Sequence, residues 1–302
     1  HPTGMTTENQ IITLRSSNTE IEIWTIGARL NAVSWAGFSG LLEGADTVAE
    51  ALGPLVNNGC TVAPVANRIA KSTFEIDGAT YRLGPNEGGK TVCHSGERSQ
   101  RDKVWSVEQL DDRSVTLAAN VADMADWFPG NRVFRTKFTV LDDGFDLTFS
   151  AVTDAPTLAN MALHPFWSLN GTGRSGQTMQ IAADAYLPID ELKIPTGEIA
   201  SVEATMFDLR EAREPSIEID HNFCLSTSGL DERAVQMVAD NGLTLDIYTD
   251  APGLQVYTGD DTGIAVEPQH WPDAPHHDNF PSIRLDPGQT YTQNTRYRFS
   301  KG

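Results

Sequence analysis

Arg68 is a basic residue inside the otherwise apolar segment Ala66-Asn67-Arg68-Ile69-Ala70. Its planar guanidinium offers several donors in a fixed geometry, which could hold the ring and hydroxyl oxygens of a polar ligand. An internal salt bridge to a carboxylate of the protein explains the same pattern equally well. Both interpretations stay open on the residues alone.

Two histidines stand in contrasting surroundings. His94 follows Thr91-Val92-Cys93 in a loop-like stretch, whereas His164 lies among apolar and aromatic residues in segment 161–167. Imidazole can take up or release a proton near neutral pH, which suits it to acid–base catalysis. A lone histidine of either kind is more often a structural residue, so the pattern by itself assigns no role to them.

Two carboxylates are embedded in different ways. Asp220 begins Asp220-His221-Asn222-Phe223, a pattern typical of a turn or a cap, and we expect that role for it. Glu267 follows the apolar strand-like run Gly263-Ile264-Ala265-Val266. We therefore expect its carboxylate at the rim or inside of a pocket, with a pKa tuned by burial and neighbours.

The segment 267–278 contains three histidines and two aspartates, a composition that invites a metal-site hypothesis. Three prolines break any helix that could align the ligands, and no standard zinc spacing is present. We therefore expect no metal here, and we expect His276 and His277 to be solvent-facing loop residues.

The elements that must position these groups are predicted to be strands. Residues 20–25 alternate between apolar and polar types, and 133–140 is rich in β-forming residues. Asp77-Gly78, Asp143-Gly144 and Asn241-Gly242 each separate two strand-like runs and predict β-hairpins. A short helix is expected over 46–52, whereas the Asn-Gly turn favours strand over helix for 230–238.

The chain shows no linker, no composition break and no repeat of fixed period. We expect residues 1–4, which precede Met5, to be an expression scar and residues 5–302 to form one domain. Many strands joined by hairpins predict an all-β fold in which two extended, mainly antiparallel sheets pack face to face. A barrel or a jelly roll fits the pattern equally well.

Composition restricts the partners and the compartment. The 22 basic and 41 acidic residues give a net charge of −19, which disfavours nucleic acid and anionic membrane surfaces. The apolar runs are shorter than the roughly 20 residues of a membrane helix, and the first residues lack the features of a secretory signal. Three widely spaced cysteines predict free thiols and a cytoplasmic location.

Several short segments follow one another in an order that carries more information than any of them alone. They are Asn67-Arg68-Ile69, His94-Ser95-Gly96, Phe128-Pro129-Gly130, His164-Pro165-Phe166-Trp167, Ile194-Pro195-Thr196-Gly197, Asp220-His221-Asn222-Phe223, Gly253-Leu254-Gln255-Val256-Tyr257 and Glu267-Pro268-Gln269. In this order and spacing the sequence resembles the aldose 1-epimerase family, also called galactose mutarotases, over most of its length.

The resemblance implies a β-supersandwich that binds a free aldose in an open cleft and interconverts its α and β anomers. It implies Glu267 as the base and His164 as the acid. Substrate-binding roles carry over to Arg68 and His94 near the ring oxygen and anomeric carbon, to Asp220 at the sugar hydroxyls, and to Asn67. The reaction needs no metal or organic cofactor, and the sequence leaves open a monomer or a homodimer.

The sequence departs from the family pattern around two of these residues. Leu163 precedes His164 where the family usually has Asn, and Pro165-Phe166-Trp167 follows in place of the family's aromatic Tyr-Phe-Asn-Leu. Ser95 replaces the first glycine of His-Gly-Gly. We expect the residues beside His164 to affect which sugar is preferred.

Three other functions compete with this reading. A non-catalytic sugar-binding or regulatory domain would keep the cleft without turnover. A sibling epimerase for a phosphorylated or sulfonated hexose would need extra cations, for which Arg132 and Arg174 are candidates. A glycosidase or polysaccharide lyase is disfavoured, because only one acidic residue is assigned to the reaction and most glycosidases use a pair.

Overall fold

The computed structural model describes residues 8–302, and its secondary structure is almost entirely β. The expected expression scar, residues 1–4, lies outside the described residues. The first half of the chain contains β1 (Ile11–Arg15), β2 (Thr19–Trp24), β3 (Arg29–Trp35), α1 (Val48–Leu52), β4 (Thr61–Val62), β5 (Arg68–Ile69), β6 (Thr73–Ile76), β7 (Ala79–Arg82), β8 (Val92–Cys93), β9 (Ser106–Leu110), β10 (Ser114–Val121), β11 (Arg132–Leu141) and β12 (Gly144–Thr153).

The second half contains only strands and one short 3-10 turn. The strands are β13 (Thr157–Leu158), β14 (Ala162–Leu163), β15 (Phe166–Trp167), β16 (Gln177–Ile181), β17 (Ala185–Tyr186), β18 (Ala200–Ser201), β19 (Asp220–Cys224), β20 (Arg233–Ala239), β21 (Leu243–Thr249), β22 (Gly253–Tyr257), β23 (Ile264–Gln269), β24 (Arg284–Leu285) and β25 (Tyr291–Lys301). The 3-10 turns of the chain are Ala70–Ser72, Gly96–Arg98, Gln100–Asp102 and Ala274–His276.

The largest sheet has eight antiparallel strands in the order β16-β20-β21-β25-β12-β11-β10-β9. Side chains of β11 and β12 alternate between buried and partly exposed positions, as expected for a sheet with one face on the core. Phe134, Phe138 and Phe149 point into that core and are fully buried. Phe145 stacks on Tyr297 of β25 with ring centroids 4.5 Å apart.

A second sheet has six strands in the order β15-β23-β22-β19-β17-β18. All six residues of β23 and four of the five in β22 are buried, so these central strands are covered on both faces. One hydrophobic cluster contains inward-facing residues of both sheets, for example Phe138 and Val266. The two sheets therefore pack face to face in a β-supersandwich, which confirms the predicted fold class.

The three predicted hairpins are present. Asp77-Gly78 joins β6 and β7 with both residues at positive φ, as a two-residue type I′ turn requires. Asn241-Gly242 lies in the turn between β20 and β21, so 233–239 is a strand as predicted. In the β11–β12 hairpin the turn is Asp142-Asp143, and Gly144 already belongs to β12 opposite Leu141.

Two further expectations are confirmed. The short helix expected over 46–52 is α1, which Thr47 caps by accepting the N–H of Glu50. Cys60, Cys93 and Cys224 are free and buried. Between residues 8 and 302 no helix has both the length and the apolar character that crossing a membrane would need.

Candidate active site

The structure brings the six predicted site residues to one cleft of about 360 Å³. One group lies in or beside strands β5 and β8 and consists of Asn67, Arg68 and His94. The other group belongs to the six-stranded sheet, with Asp220 on β19, Glu267 on β23 and His164 just before β15. The cleft is also lined by Val56, Asn57, Asn86, Glu87, Cys93, Arg101, Phe166, Lys193, Gln255 and Tyr257.

Glu267 is in the middle of β23 and is almost completely buried. The register places Gln255 of β22 directly opposite Glu267 and Asn222 of β19 opposite Gln255, so three polar side chains lie in one row on the cleft face. Glu267 Oε1 is buried and finds no hydrogen-bond partner within residues 8–302. This confirms the prediction of a carboxylate inside a pocket and leaves one oxygen available to a ligand.

His164 lies between β14 and β15, held by two main-chain hydrogen bonds. Its N–H donates to the carbonyl of Cys60 over 3.0 Å, and its carbonyl accepts the N–H of Gly59 over 2.7 Å. The imidazole stacks on the ring of Phe166 with centroids 5.1 Å apart. In this position Nε2 of His164 lies 3.5 Å from Oε1 of Glu267.

Burial moves the two pKa values of this pair in opposite directions. It raises the pKa of Glu267 well above its usual range, and the nearby charge of Asp220 adds to that effect. It lowers the pKa of His164 to about 4. Burial disfavours the charged form of each group, which is the anion of glutamate and the cation of histidine. Between these two pKa values the pair holds one proton.

His94 is fixed by the backbone of Asn67. The Asn67 N–H donates to Nδ1 of His94 over 3.1 Å, and the His94 N–H donates to the Asn67 carbonyl over 2.9 Å. With Nδ1 occupied as an acceptor, the neutral imidazole carries its proton on Nε2. Burial lowers the pKa of His94 well below its usual range, and the nearby His164 lowers it further. His94 therefore offers a neutral N–H donor to a ligand in the cleft.

His94, His164 and Glu267 place one potential metal-ligand atom each within 4.8 Å of one another. A metal ion would need an unprotonated nitrogen from each histidine. The Asn67 N–H already uses one nitrogen of His94 and leaves a proton on the other. The geometry therefore fits hydrogen bonding to an oxygen atom of a ligand better than metal ligation.

The internal salt bridge of Arg68 is present, and its side chain also lies at the cleft. Its Nε and Nη2 donate to the Glu87 carboxylate over 2.7 and 3.1 Å, and the same side chain lines the cleft. Two hydrogen bonds to Asp273 fix this strand, since the Asp273 N–H donates to the Arg68 carbonyl and the Asp273 carboxylate accepts the N–H of Ala70.

Asp220 is the first residue of β19, opposite Tyr257 of β22, so the turn or cap expected from its sequence is wrong. The pairing of β19 with β22, which lies far away in sequence, overrides the local preference. Its carboxylate accepts from Gln255 Nε2 over 3.0 Å and from Lys193 Nζ over 2.7 Å. Asp220 is thereby oriented at the cleft wall.

His276 is exposed, as we expected, whereas His277 is half-buried, so the expectation of a solvent-facing residue is wrong for His277. The buried Asp273 carboxylate contacts Nδ1 of His276 at 2.6 Å and Nε2 of His277 at 3.1 Å. Asp273 has a left-handed backbone, φ 56°, which turns the chain so that both histidines fold back onto it. The three side chains form one cluster behind Arg68 and outside the cleft.

Sequence reasoning missed seven polar residues of the cleft, namely Asn57, Asn86, Glu87, Arg101, Lys193, Gln255 and Tyr257. Gln255 and Tyr257 lie in a motif already noted, and their pairing with β23 would have marked them. Arg101 gave no signal, because its charged surroundings from Arg98 to Lys103 are typical of a solvated segment. Arg132 and Arg174 are absent from the cleft lining, since they pair with Asp126 and Asp261.

Comparison with known proteins gives consistent results. The sequence profile of the aldose 1-epimerase family matches residues 10–298. A galactose mutarotase from Bos taurus is 34% identical over 271 residues, covering 80% of this chain and 78% of the relative. An aldose 1-epimerase from Escherichia coli is 32% identical over 275 residues, covering 80% and 79%.

Solved structures agree with these relatives. The aldose epimerase homologue from C. elegans superposes with a TM-score of 0.91 at 26% identity, covering 97% of this chain and 99% of the other. A galactose 1-epimerase from Lactobacillus acidophilus superposes with a TM-score of 0.86, covering 98% of this chain and 100% of the other. Because the sequence identity of this second match is 21%, it supports the fold alone.

Proposed function

The chain belongs to the aldose 1-epimerase family, and we propose on that premise that its cleft binds a free aldose such as galactose or glucose and interconverts the two anomers. The observation that carries the proposal is the pair Glu267 and His164, 3.5 Å apart and buried at the base of a cleft. Anomer exchange requires one group that accepts a proton and one that donates it, and this pair supplies both.

In the forward direction Glu267 takes the proton from the anomeric hydroxyl while His164 gives a proton to the ring oxygen. The bond between the anomeric carbon and the ring oxygen breaks, and the anomeric carbon becomes an aldehyde. Rotation about the adjacent carbon–carbon bond then presents the other face of the aldehyde. On reclosure the two groups exchange roles, so the pair ends with the one proton with which it began.

The surrounding residues are proposed to hold the sugar for this step. The N–H of His94 and the guanidinium of Arg68 donate to the ring oxygen and the oxygen on the anomeric carbon, where charge changes during opening. Asp220, fixed by Gln255 and Lys193, accepts from sugar hydroxyls. Asn67 orients His94 through its backbone and adds its side chain to the cleft wall.

The test follows optical rotation after α-galactose or α-glucose is dissolved, with the uncatalysed rate subtracted. We expect the rate to rise in proportion to enzyme concentration. Glu267→Gln and His164→Asn keep the size of each side chain, and each should lower kcat/KM by about 10²- to 10⁴-fold. Thermal unfolding of both variants checks that the fold is retained. Undiminished rates in both variants would contradict the proposal.

The same experiment separates the enzyme from a non-catalytic sugar-binding domain, which would bind the sugar without accelerating exchange. We further propose that the single domain functions in the cytoplasm, in line with its three free cysteines. Sedimentation of the purified chain would decide between a monomer and a homodimer.

A further inference from the structure

The cleft contains three cations and three carboxylates, in contrast to the strong excess of acid in the whole chain. Two of the three cations already form ion pairs with carboxylates of the cleft. Arg68 is paired with Glu87 and Lys193 with Asp220. The third cation, Arg101, makes no ion pair with any residue from 8 to 302.

Arg101 is held by one neutral partner. Its Nη1 donates to Oδ1 of Asn57 over 2.7 Å, which is the single hydrogen bond of the guanidinium to the described part of the chain. Because Oδ1 of Asn57 is used in this contact, the amide nitrogen of Asn57 remains as a second donor beside the guanidinium. Both side chains are half-buried and line the cleft.

The side of the cleft on which Arg101 lies follows from its neighbours. Asn57 holds Arg101, and the chain that follows Asn57 contacts His164, since the Gly59 N–H donates to the His164 carbonyl and the His164 N–H donates to the Cys60 carbonyl. Arg101 therefore lies on the His164 side of the cleft. Gln255 lies on β22 beside Glu267, and Asp220 begins the next strand, β19, so both lie on the other side of β23 from β15 and His164. If His164 protonates the ring oxygen, carbon 5 and its substituent, carbon 6, extend from the ring oxygen on the histidine side. In that orientation carbon 6 would face Arg101.

We infer that Arg101 and Asn57 form a subsite for a carboxylate at carbon 6, so that this enzyme prefers hexuronates over the corresponding neutral hexoses. The inference rests on the proposed anomer exchange and specifies its substrate class. A guanidinium binds a carboxylate through two parallel hydrogen bonds, and an unpaired arginine in a partly desolvated cleft gains most from such a partner.

The charge balance favours a carboxylate over a phosphate. A carboxylate brings one negative charge, which the one unpaired guanidinium neutralises. A phosphate brings up to two charges. The other cations that could meet the second charge are already committed to Glu87 and Asp220.

The test measures kcat/KM for anomer exchange of galacturonate, galactose and galactose 6-phosphate by exchange NMR between the two anomeric protons. This method works on the equilibrium mixture and needs no pure anomer. For the unaltered enzyme we expect the galacturonate value to exceed the galactose value by about tenfold or more. In Arg101→Gln, which keeps a donor toward Asn57, that ratio should fall by about the same factor.

Arg98→Gln is the matched control. It removes the same charge three residues away, where the guanidinium lies 4.2 Å from the centre of the Trp127 ring and outside the cleft lining. This variant should leave the galacturonate-to-galactose ratio unchanged. A ratio that Arg101→Gln does not alter, or a higher kcat/KM for galactose 6-phosphate than for galacturonate, would overturn the inference. Failure to accelerate any of the three sugars would instead contradict the proposed function.

Discussion

At the scale of single residues, the opposed pKa shifts of Glu267 and His164 decide how activity depends on pH. The active form of the pair holds one proton, whichever group carries it before the sugar binds. On the acid side the pair takes a second proton as His164 is protonated, with a pKa of about 4. On the alkaline side it loses its last proton at the raised pKa of Glu267.

We therefore expect kcat/KM to be constant over a broad pH range. On the acid side it should begin to fall only at a pH well below the ordinary histidine pKa of about 6.5. On the alkaline side it should fall only at a pH far above the ordinary glutamate pKa of about 4.3. Mutarotation rates at constant ionic strength, with buffer catalysis subtracted at each pH, give this profile. An acid limb centred near the ordinary histidine value would show that His164 is not desolvated in the free enzyme.

Ser95 shows how a side chain can compensate for a strained backbone next to a site residue. Its φ of 61° is in the left-handed region that favours glycine. Its hydroxyl donates to the carbonyl of Val65 over 2.8 Å and accepts the Val65 N–H over 2.9 Å. These bonds tie the turn after His94 to the chain before Arg68 and account for a serine at this position.

We expect Ser95→Ala to cost about 1–3 kcal/mol of unfolding free energy, because it keeps the strain and leaves two buried groups of Val65 without partners. Ser95→Gly loses the same hydrogen bonds but relieves the backbone, so its cost should be smaller. Urea unfolding of the two variants measures the difference. If Ser95→Gly proved the less stable variant, the strain argument would be wrong.

The residues also show where sequence reasoning succeeds. An apolar run leading into Glu267 was sufficient to predict a buried carboxylate, because four apolar residues in a row commit a strand to the interior. Asp220 was misplaced by the same local reasoning. Its environment depends on Gln255 and Lys193, which reach it from 35 and 27 residues away in the sequence.

At the scale of elements, the short strand β15 and the central strand β23 set the separation of Glu267 and His164, the proposed catalytic pair. Phe166 of β15 lies opposite Ala265 of β23. His164 precedes Phe166 by two residues and Glu267 follows Ala265 by two, so this antiparallel pairing brings them near each other. Gly263 permits this close approach, since a Cβ there would be 2.8 Å from the carbonyl carbon of Phe166.

Gly263→Ala should therefore push β15 away from β23 and separate His164 from Glu267. Because misplacement of catalytic groups by about 1 Å can lower a rate by 10²-fold, we expect a loss of kcat/KM of about tenfold or more. Gly229→Ala is the control, since a Cβ at that position has open space around it. Equal activity of the two variants would show that the strand contact does not set the geometry.

The cluster of Asp273, His276 and His277 makes the loop behind Arg68 sensitive to pH. The hydrogen bond to Asp273 raises the pKa of His276 above its usual value. A group whose pKa is raised on folding stabilises the protein below its unfolded pKa, and this contribution is lost as the pH rises through the folded pKa. The loop is thus held more firmly in acid than in alkali.

His276→Gln should lower the free energy of unfolding by about 0.5–1 kcal/mol at pH 5.5 and have little effect near pH 9. Urea unfolding at the two pH values is the measurement. Asp273→Asn removes the common acceptor and should abolish the difference between them. A destabilisation by His276→Gln that is the same at both pH values would mean that packing, and not charge, is lost.

At the scale of the whole molecule, local patterns predicted the strands and hairpins but not the order of the strands in the sheets. β12 and β25 are neighbours although Phe145 and Tyr297 are 152 residues apart, and no local signal records that pairing. The cleft is likewise assembled from segments between Val56 and Glu267. The resemblance to a family implied that the site residues converge in one cleft. Periodicity and spacing alone could not predict this.

The net charge of −19 acts on the entire fold. Like charges repel one another more in the compact native state than in the expanded unfolded chain, so the excess of acid destabilises the protein at low ionic strength. Added salt screens this repulsion over a Debye length of about 10 Å at 0.1 M. It also weakens exposed ion pairs such as Arg284 with Asp77, but each of these contributes only about 0–1 kcal/mol.

We therefore expect the melting temperature to rise by about 2–4 °C between 10 and 200 mM NaCl, which corresponds to about 1 kcal/mol for a domain of this size. The triple variant Glu191→Gln, Glu198→Gln, Glu203→Gln removes three exposed charges that make no ion pair within residues 8–302. It should melt at a higher temperature at 10 mM NaCl and respond less to added salt. A melting temperature that falls as salt is added would show that the ion pairs outweigh the general repulsion.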